Sequence, residues 1–382
     1  MQLKDAAGNE PVFDATITLD QTAPNTTIIT GPPAVTNGSN ATFTFASGET
    51  GSTFETSLDG NAYTLTPSPF TITGLPPGPH TLSARAVDPA GNVDPTPDTY
   101  SWTIDQTPPA VTSVNVPANG YYKRNDVLAF KVNFNENPLV NVSGGTPYLE
   151  VTIGTTTRHA VYTGGSGTGV LTFGYTVQDG DMDMDGIALG TALVLNGGTI
   201  GDAAGNNAVT TLQSVGSTAG VFVNTAAPGV TLSTTAPSIV NQSFTVTATF
   251  TEAVTGFTVG DMVSINATTS NLQTADNITY TMLVTPGADG AVVSIQVLAG
   301  GAVNIGNNGN TASNTLHLTY DGTAPAVTSV DVPANGTYKG SDALSFAVHY
   351  AENVSVTGTP SLGVQVGSQT AQAIYTVGSG TN

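Results

Sequence analysis

The chain has 382 residues, and its 27 acidic and 7 basic side chains give it a net charge of −20 at pH 7. This balance argues against nucleic acid or an anionic membrane as a partner, because binding to phosphate requires clustered Lys and Arg. It suits hard cations such as calcium, which take carboxylate oxygens as ligands, and it also favours solubility.

Alternating polar and apolar residues predict β-strands along the chain. In chain order the predicted strands are 42–47, 80–88, 99–105, 127–134, 146–153, 170–177, 243–250 and 291–298. Long helical stretches rich in Leu, Glu and Lys are missing, whereas 44 Gly and 23 Pro provide many turns. The sequence has no Cys, so we expect packing rather than disulfides to hold the strands together. These features predict an all-β protein.

Two short phrases recur in a fixed order. The first reads DAAGN at 5–9 and 202–206 and DPAGN at 88–92. The second phrase ends in proline and reads DQTAP at 20–24, DQTPP at 105–109, NTAAP at 224–228 and DGTAP at 321–325. Such recurrence indicates a tandem array. The spacing of the prolines corresponds to units of roughly 100 residues, the size of an immunoglobulin-type sandwich.

A direct repeat defines the domain boundaries. Residues 109–130 return with few changes at 325–346. We therefore predict tandem immunoglobulin-like β-sandwiches in an extended array that is truncated at both ends. The predicted division is the C-terminal hairpin of a preceding domain in 1–22, domains at 23–106, 107–226 and 227–322, and the N-terminal half of a further domain in 323–382.

Several of these units resemble the bacterial immunoglobulin-like repeats of large extracellular adhesins. Residues 54–108 are similar to a subtype that reads F-x-C-S-L-D-G and then C-x-S-P, although Thr56 and Thr66 stand where that subtype has a cysteine pair. Residues 243–262 resemble a second subtype, and the units at 109–227 and 325–382 resemble a third.

The resemblance covers essentially the whole chain and implies a non-catalytic extension segment of a bacterial surface or secreted protein. Its partners would be the neighbouring repeats of the same chain. A host or surface ligand would bind through modules outside this fragment. The longest apolar runs are shorter than the ~20 residues that span a bilayer, so we expect no membrane insertion in this segment.

The recurring phrase D-x-A-G-N has two interpretations. Asp accepts hydrogen bonds from following amides, while Gly and Asn tolerate positive φ, so the phrase makes a tight hairpin by turn chemistry alone. Alternatively, its Asp is a calcium ligand. In a sandwich the hairpin before the last strand lies at the pole that faces the preceding domain, where the linker also enters.

We call each such boundary a joint and expect it to combine a linker Asp, a loop Glu and a hairpin Asp. Three carboxylates repel one another unless a cation bridges them, and such a cation would stiffen the joint. The predicted calcium ligands are Asp20, Glu49 and Asp88 at the first joint, Asp105, Glu136 and Asp202 at the second, and Asp321 and Glu352 at the fourth.

The third joint provides an internal comparison. Its linker position is Asn224, and we take its hairpin to be GNNGN at 306–310, so both Asp residues are replaced while Glu252 remains. Paired loss of the two Asp residues is what a shared ligand site predicts, although the retained Glu counts against it.

A separate acidic loop reads DGDMDMDGI at 179–187. Asp181, Asp183 and Asp185 mimic the first half of an EF-hand loop, but Ala192 stands at the position of the bidentate Glu. The loop is either a further calcium site, which could provide carboxylates to the third joint, or a solvated acidic turn.

The sequence offers no recognisable catalytic site. Its four His residues are isolated, and G-x-S-x-G, a cysteine nucleophile and a phosphate-binding loop are missing. We therefore expect no enzymatic activity. Two alternatives to the extension segment stay open, a module that binds glycan or protein through its loops and an accessory arm of a secreted hydrolase.

Overall fold

The computed structural model describes Lys4, residues 6–9 and residues 17–382. The regular secondary structure of this part of the chain is almost entirely β-strand, and the one helix within it is a short 3₁₀ turn at Val259–Asp261. The chain divides into two compact units, Met1–Ala226 and Ala227–Asn382. The predicted class of tandem all-β sandwiches is confirmed. Half of the residues of the hairpin predicted in 1–22 lie outside the described residues.

Residues 23–106 form a sandwich of two sheets. Its strands are β1 (Thr26–Thr30), β2 (Val35–Thr36), β3 (Ala41–Ser47), β4 (Thr53–Leu58), β5 (Thr64–Thr66), β6 (Phe70–Ile72), β7 (Gly78–Val87) and β8 (Asp98–Ile104). One sheet has the order β1-β3-β6 and the other β2-β8-β7-β4-β5. Alternate residues point inward, so Phe43 and Phe45 of the first sheet share a core with Leu82 and Trp102 of the second.

Two buried threonines occupy the positions of the cysteine pair in the repeat subtype that residues 54–108 resemble. Thr56 on β4 and Thr66 at the end of β5 are both buried, and their hydroxyl oxygens lie 2.8 Å apart in a hydrogen bond. A polar pair inside the sandwich is tolerated because each hydroxyl has a partner.

Replacing both Thr56 and Thr66 by Cys is expected to form a disulfide in oxidising buffer. The bond would close a short loop and stabilise the domain by about 2–3 kcal/mol. Thermal unfolding of the oxidised and reduced forms measures this gain, and the single variant Thr56→Cys serves as the control. Two free thiols after oxidation would show that the side chains do not meet the geometry of a disulfide.

Residues 107–226 contain eleven strands. They are β9 (Val111–Asn115), β10 (Gly120–Tyr122), β11 (Val127–Phe134), β12 (Leu139–Asn141), β13 (Tyr148–Ile153), β14 (Thr156–Gly164), β15 (Val170–Thr176), β16 (Met182–Asp183), β17 (Ala188–Val194), β18 (Thr199–Gly201) and β19 (Val221–Asn224). The main sheet has the order β17-β13-β14-β15-β11-β9, and smaller sheets have the orders β10-β19-β16 and β12-β18. Phe130, Phe173 and Leu149 lie at the centre of the core.

Residues 227–322 form a sandwich of two four-stranded sheets. The strands are β20 (Val230–Ser233), β21 (Ile239–Val240), β22 (Phe244–Phe250), β23 (Met262–Ile265), β24 (Ala267–Thr274), β25 (Thr279–Pro286), β26 (Val292–Val297) and β27 (Leu316–Tyr320). The sheet orders are β20-β22-β25-β24 and β21-β27-β26-β23. Phe250, Phe257 and Tyr280 make edge-to-face ring contacts within its core.

Residues 323–382 form two separate two-stranded sheets. One pairs β28 (Val327–Asp331) with β29 (Ala347–Tyr350), and the other pairs β30 (Ser361–Val366) with β31 (Gln369–Ile374). Every residue of this range is exposed or half-buried. The domain boundaries stay predictions, but every strand falls within one of the predicted ranges. No helix in the described part is long and apolar enough to cross a membrane.

Candidate cation sites at the joints

Three carboxylates come together at the first joint. Asp20 lies in the linker before β1, Glu49 in the loop after β3, and Asp88 directly after β7. One carboxylate oxygen from each lies within 4.8 Å of the others. Two oxygens that bind one calcium ion at 2.3–2.6 Å are at most about 5 Å apart, so the spacing is compatible with a shared ion.

The second joint repeats this arrangement with residues about a hundred positions further along the chain. Asp105 follows β8, Glu136 follows β11, and Asp202 follows β18. Their carboxylate oxygens also lie within 4.8 Å of one another, and all three residues are half-buried. Within the described residues, groups of three or more potential metal ligands occur at these two joints alone. In the same part of the chain, none of the six carboxylates forms an ion pair with a basic side chain.

The hairpin Asp of each joint also shapes its own turn. Asp202 Oδ1 accepts hydrogen bonds from the backbone N–H groups of Gly205 and Asn206, each at 2.8 Å, and Oδ2 accepts one from Asn206 Nδ2 at 2.7 Å. Asp88 binds Asn92 in the same way. A carboxylate offers about four acceptor positions, so turn chemistry uses most of them and leaves Asp202 a position for a cation.

These hydrogen bonds keep the hairpin carboxylates ionised. Burial alone would raise the pKa of Asp88 and Asp202, but hydrogen bonds from the Asn side chains and the turn amides outweigh it and lower both pKa values below the usual range. A carboxylate that is ionised and fixed in direction is a suitable ligand for a hard cation.

The pKa of the loop Glu at each joint shifts in the opposite direction. Burial, followed by repulsion from the two neighbouring Asp residues, raises the pKa of both Glu49 and Glu136. Glu136 Oε1 is buried and has no hydrogen-bond partner. A buried oxygen without a partner costs free energy, and a cation between the three carboxylates would satisfy it. The donor set therefore fits a calcium ion.

The Asn that ends the recurring phrase also binds the linker, a contact that the sequence alone did not indicate. Asn92 Nδ2 donates to the backbone oxygen of Asp20 at 3.2 Å, and Asn206 Nδ2 donates to that of Asp105 at 2.9 Å. Each Asn thus binds the linker that precedes its own domain. The repetition of this Asn in every copy of the phrase is the feature that could have revealed it.

The third copy of the hairpin corrects the predicted register. The turn closes between Asn304 and Asn308, with Asn304 N–H donating to the Asn308 oxygen at 3.1 Å, as Asp202 N–H donates to Asn206 at 3.0 Å. The counterpart of Asp202 is therefore Asn304, and the prediction that the turn is 306–310 is wrong by two residues. Asn304 Nδ2 donates to Glu252 Oε1 at 3.1 Å, so an amide binds this loop Glu directly.

The predicted fourth joint contains two of the expected acids, Asp321 and Glu352, and they do not belong to a group of three ligands within the described residues. Its linker is held by an acid that the sequence did not single out. Asp289 Oδ1 accepts from Gly322 N–H at 2.6 Å, and Asp289 Oδ2 accepts from the Thr323 hydroxyl. Asp289 has no counterpart in the recurring phrases.

In the acidic loop, Asp181, Asp183 and Asp185 do not form a ligand group within the described residues. Asp181 is 2% exposed and binds Arg158 at 2.7 Å and the Tyr175 hydroxyl at 2.6 Å. Asp183 accepts from backbone N–H groups, including that of Gly154 at 2.7 Å, and Asp185 is exposed. Burial and the bond to Asp181 raise the pKa of Tyr175 to about 12.

The fold and the paired sites define a protein of tandem β-sandwiches with acidic joints. The model of the bacterial Ig-like domain family matches residues 224–320. This match confirms, for this unit, the resemblance to bacterial Ig-like domains. No sequence among curated proteins matches the chain.

Several solved structures are similar in fold. One is a bacterial ice-binding adhesin of 1.5 MDa, with 15% identity over 79% of this chain and 99% of that chain and a TM-score of 0.36. The Escherichia coli adhesin FdeC has 15% identity over 81% and 100%, with a TM-score of 0.34. The Bacteroides ovatus protein SGBP-B has 13% identity over 84% and 76%, with a TM-score of 0.18. At these scores the similarity carries no functional information.

Proposed function

We propose that this chain is a non-catalytic extension segment of a bacterial surface or secreted adhesin, and that calcium stiffens its first and second joints. The sandwiches act as spacers that hold a ligand-binding module, located elsewhere in the protein, away from the cell. Their partners within this segment are the neighbouring repeats of the same chain.

The observation that supports calcium most directly is the second joint. Asp105, Glu136 and Asp202 converge within 4.8 Å without a basic side chain among them, and Glu136 Oε1 is buried without a partner. Three acidic groups from three separate segments would repel one another in this position. A divalent cation compensates both the repulsion and the unsatisfied oxygen.

The mechanical effect follows from where the ligands lie in the chain. Asp105 belongs to the linker, whereas Glu136 and Asp202 belong to the domain that the linker enters. A shared ion therefore attaches the linker to the pole of that domain. The buried Pro109 restricts its own φ next to the same point, which removes one free backbone torsion between the sandwiches.

Direct contacts reinforce the second joint from the preceding domain. Asn37 N–H donates to the Ala204 oxygen at 2.9 Å, and Gln106 Nε2 donates to the Asn37 oxygen at 3.2 Å. The loop after β2 thus contacts the hairpin that carries Asp202. Because the ligand hairpin and this loop touch, ordering the hairpin by calcium also orders the contact between the two sandwiches.

Calcium titration of the full chain by isothermal calorimetry tests the proposal. We expect two binding events, one for each joint, and a higher unfolding temperature in calcium than in chelator, since an ion that binds only the folded state stabilises it. Magnesium at the same concentration is the control, because its smaller octahedral shell suits this donor set poorly. Identical heats and melting curves in calcium and chelator would remove the metal from the proposal.

A further inference from the structure

His80 lies in an arrangement that determines its protonation state. It stands near the start of β7 and is 7% exposed. Its Nδ1 is 2.8 Å from Asp59 Oδ2, and its Nε2 is 2.9 Å from the Pro76 carbonyl oxygen. A carbonyl oxygen and an ionised carboxylate can only accept hydrogen bonds. Both ring nitrogens must therefore donate, and only the imidazolium form carries a proton on each.

We infer that His80 is a buried imidazolium ion that clamps three segments of domain 23–106, and that its deprotonation in alkaline solution loosens this domain. The three segments are the turn after β4 through Asp59, the loop before β7 through Pro76, and β8 through Trp102, whose ring centroid lies 5.5 Å from that of His80. This clamp is independent of the calcium sites.

The groups around the ring favour the charged form. Asp59 faces the ring from the turn after β4, and its Oδ1 accepts from Thr81 N–H at 2.8 Å. The groups that face the ring from the loop before β7 and from β8 are the Pro76 carbonyl and the Trp102 indole, and neither of them titrates. The hydrogen bond to Pro76 raises the pKa of His80 and burial lowers it, and with the bond to Asp59 the net shift is upward.

Asp59 is ionised for a related reason. Burial would raise its pKa, but the hydrogen bonds from Thr81 and His80 outweigh burial and hold the pKa below the usual range. The pair is therefore an ionised carboxylate against an imidazolium. If the imidazole lost a proton, either Asp59 or Pro76 would face a lone pair instead of a donor, and the buried His80 ring would lose one of its two hydrogen bonds.

The direction of the pH effect follows from linkage. A His whose pKa is higher in the folded than in the unfolded state contributes stability that is fully present below the unfolded pKa, near 6.5. That stability is lost as pH rises through the higher folded pKa. The carboxylates of the joints respond at the acid end instead, so the two effects occur in separate ranges of pH.

Trp102 is the one tryptophan of the chain and reports on the clamp. An imidazolium ring against an indole quenches its fluorescence, so the emission of Trp102 in the full chain should rise as pH increases past neutrality. In His80→Gln this titration should vanish. The unfolding temperature of domain 23–106 should fall by on the order of 5 °C between pH 6 and pH 9 in the wild type, and less in the variant.

A matched control is available in His349, which lies 2.9 Å from Asp331 but is exposed. His349→Gln should leave the Trp102 titration unchanged. Nitrogen NMR shifts of the wild-type imidazole rings, with His80 identified by the contact of its ring with that of Trp102, test the protonation state even if His80→Gln folds poorly. Protons on both His80 nitrogens at pH 7 are expected, and an unprotonated ring nitrogen at that pH would overturn the inference.

Discussion

Replacing Asp202 by Asn is expected to abolish the stability that calcium gives to the second joint, while leaving the calcium-free protein at least as stable as the wild type. The chain already contains this arrangement in its third hairpin. There Asn304 occupies the equivalent position, and its Nδ2 donates to Glu252 at 3.1 Å. Its Oδ1 still accepts from the Asn308 N–H at 3.0 Å, so the amide keeps the turn and also satisfies the loop Glu.

The expected loss of stability is large because the variant would lose all the stabilisation that one bound ion provides. An ion that binds only the folded state contributes about 2.7 kcal/mol at a hundred times its Kd and about 4 kcal/mol at a thousand times. Glu136→Gln should remove the same contribution. In chelator it should be stabilising, because it removes repulsion from Asp105 and Asp202.

The pH dependence has a defined sign. The raised pKa of Glu136 means that the folded, calcium-free chain binds more protons than the unfolded chain, so its stability falls as pH rises from the unfolded pKa of Glu through the higher folded value. Calcium removes this penalty, since it replaces the proton as the counter-charge. The gain in unfolding temperature on adding calcium should therefore be greater at pH 7 than at pH 4.5.

Unfolding temperatures of the full chain in calcium and in chelator measure these effects. Glu252→Gln is the matched control, because it changes the same loop position in a domain whose hairpin carries Asn304 rather than Asp. It should leave the calcium response intact. An Asp202→Asn chain that responds to calcium as strongly as the wild type would show that the ion does not bind at the second joint.

The strands could be predicted from the sequence because their cause is local. Alternation at 127–134 and 243–250 corresponds to β11 at Val127–Phe134 and β22 at Phe244–Phe250, since each inward residue belongs to a half-buried strand with period two. Short edge strands such as β2 and β21, two residues long, could not be predicted, because their pairing with β8 and β27 depends on distant parts of the chain.

The candidate sites could be predicted in part, because some of their residues also follow a local sequence pattern. The repeated phrases indicated which Asp residues share a pole, and the structure brings the acids of the first two joints together. Hydrogen bonds between distant segments could not be predicted, because they correspond to no local pattern in the sequence. His80 looked isolated because Asp59 is far away in sequence, and the register of the third hairpin depended on the bond of Asn304 to Asn308.

Replacing Arg158 by Met is expected to destabilise domain 107–226 by about 3 kcal/mol. Arg158 on β14 donates to Asp181 Oδ1 through Nε at 2.9 Å and through Nη2 at 2.7 Å. Asp181 is 2% exposed, so without Arg158 its charge would stay buried with only Tyr175 and the Gln178 N–H as donors. Removing one partner of a buried ion pair typically costs 3–5 kcal/mol, and we expect the lower end because the Arg158 side chain is one-third exposed.

Urea unfolding of the full chain, in calcium and in chelator, measures this loss. Arg85→Met is the matched control, because Arg85 pairs with Glu55 at a site where both side chains are about one-third exposed, and it should cost about 1 kcal/mol or less. We expect the loss in Arg158→Met to be equal with and without calcium, since Asp183 is already bound to backbone amides. Recovery in calcium would instead make the acidic loop a cation site, as its spacing of Asp residues first suggested, because an ion would then be replacing the guanidinium as the counter-charge of Asp181.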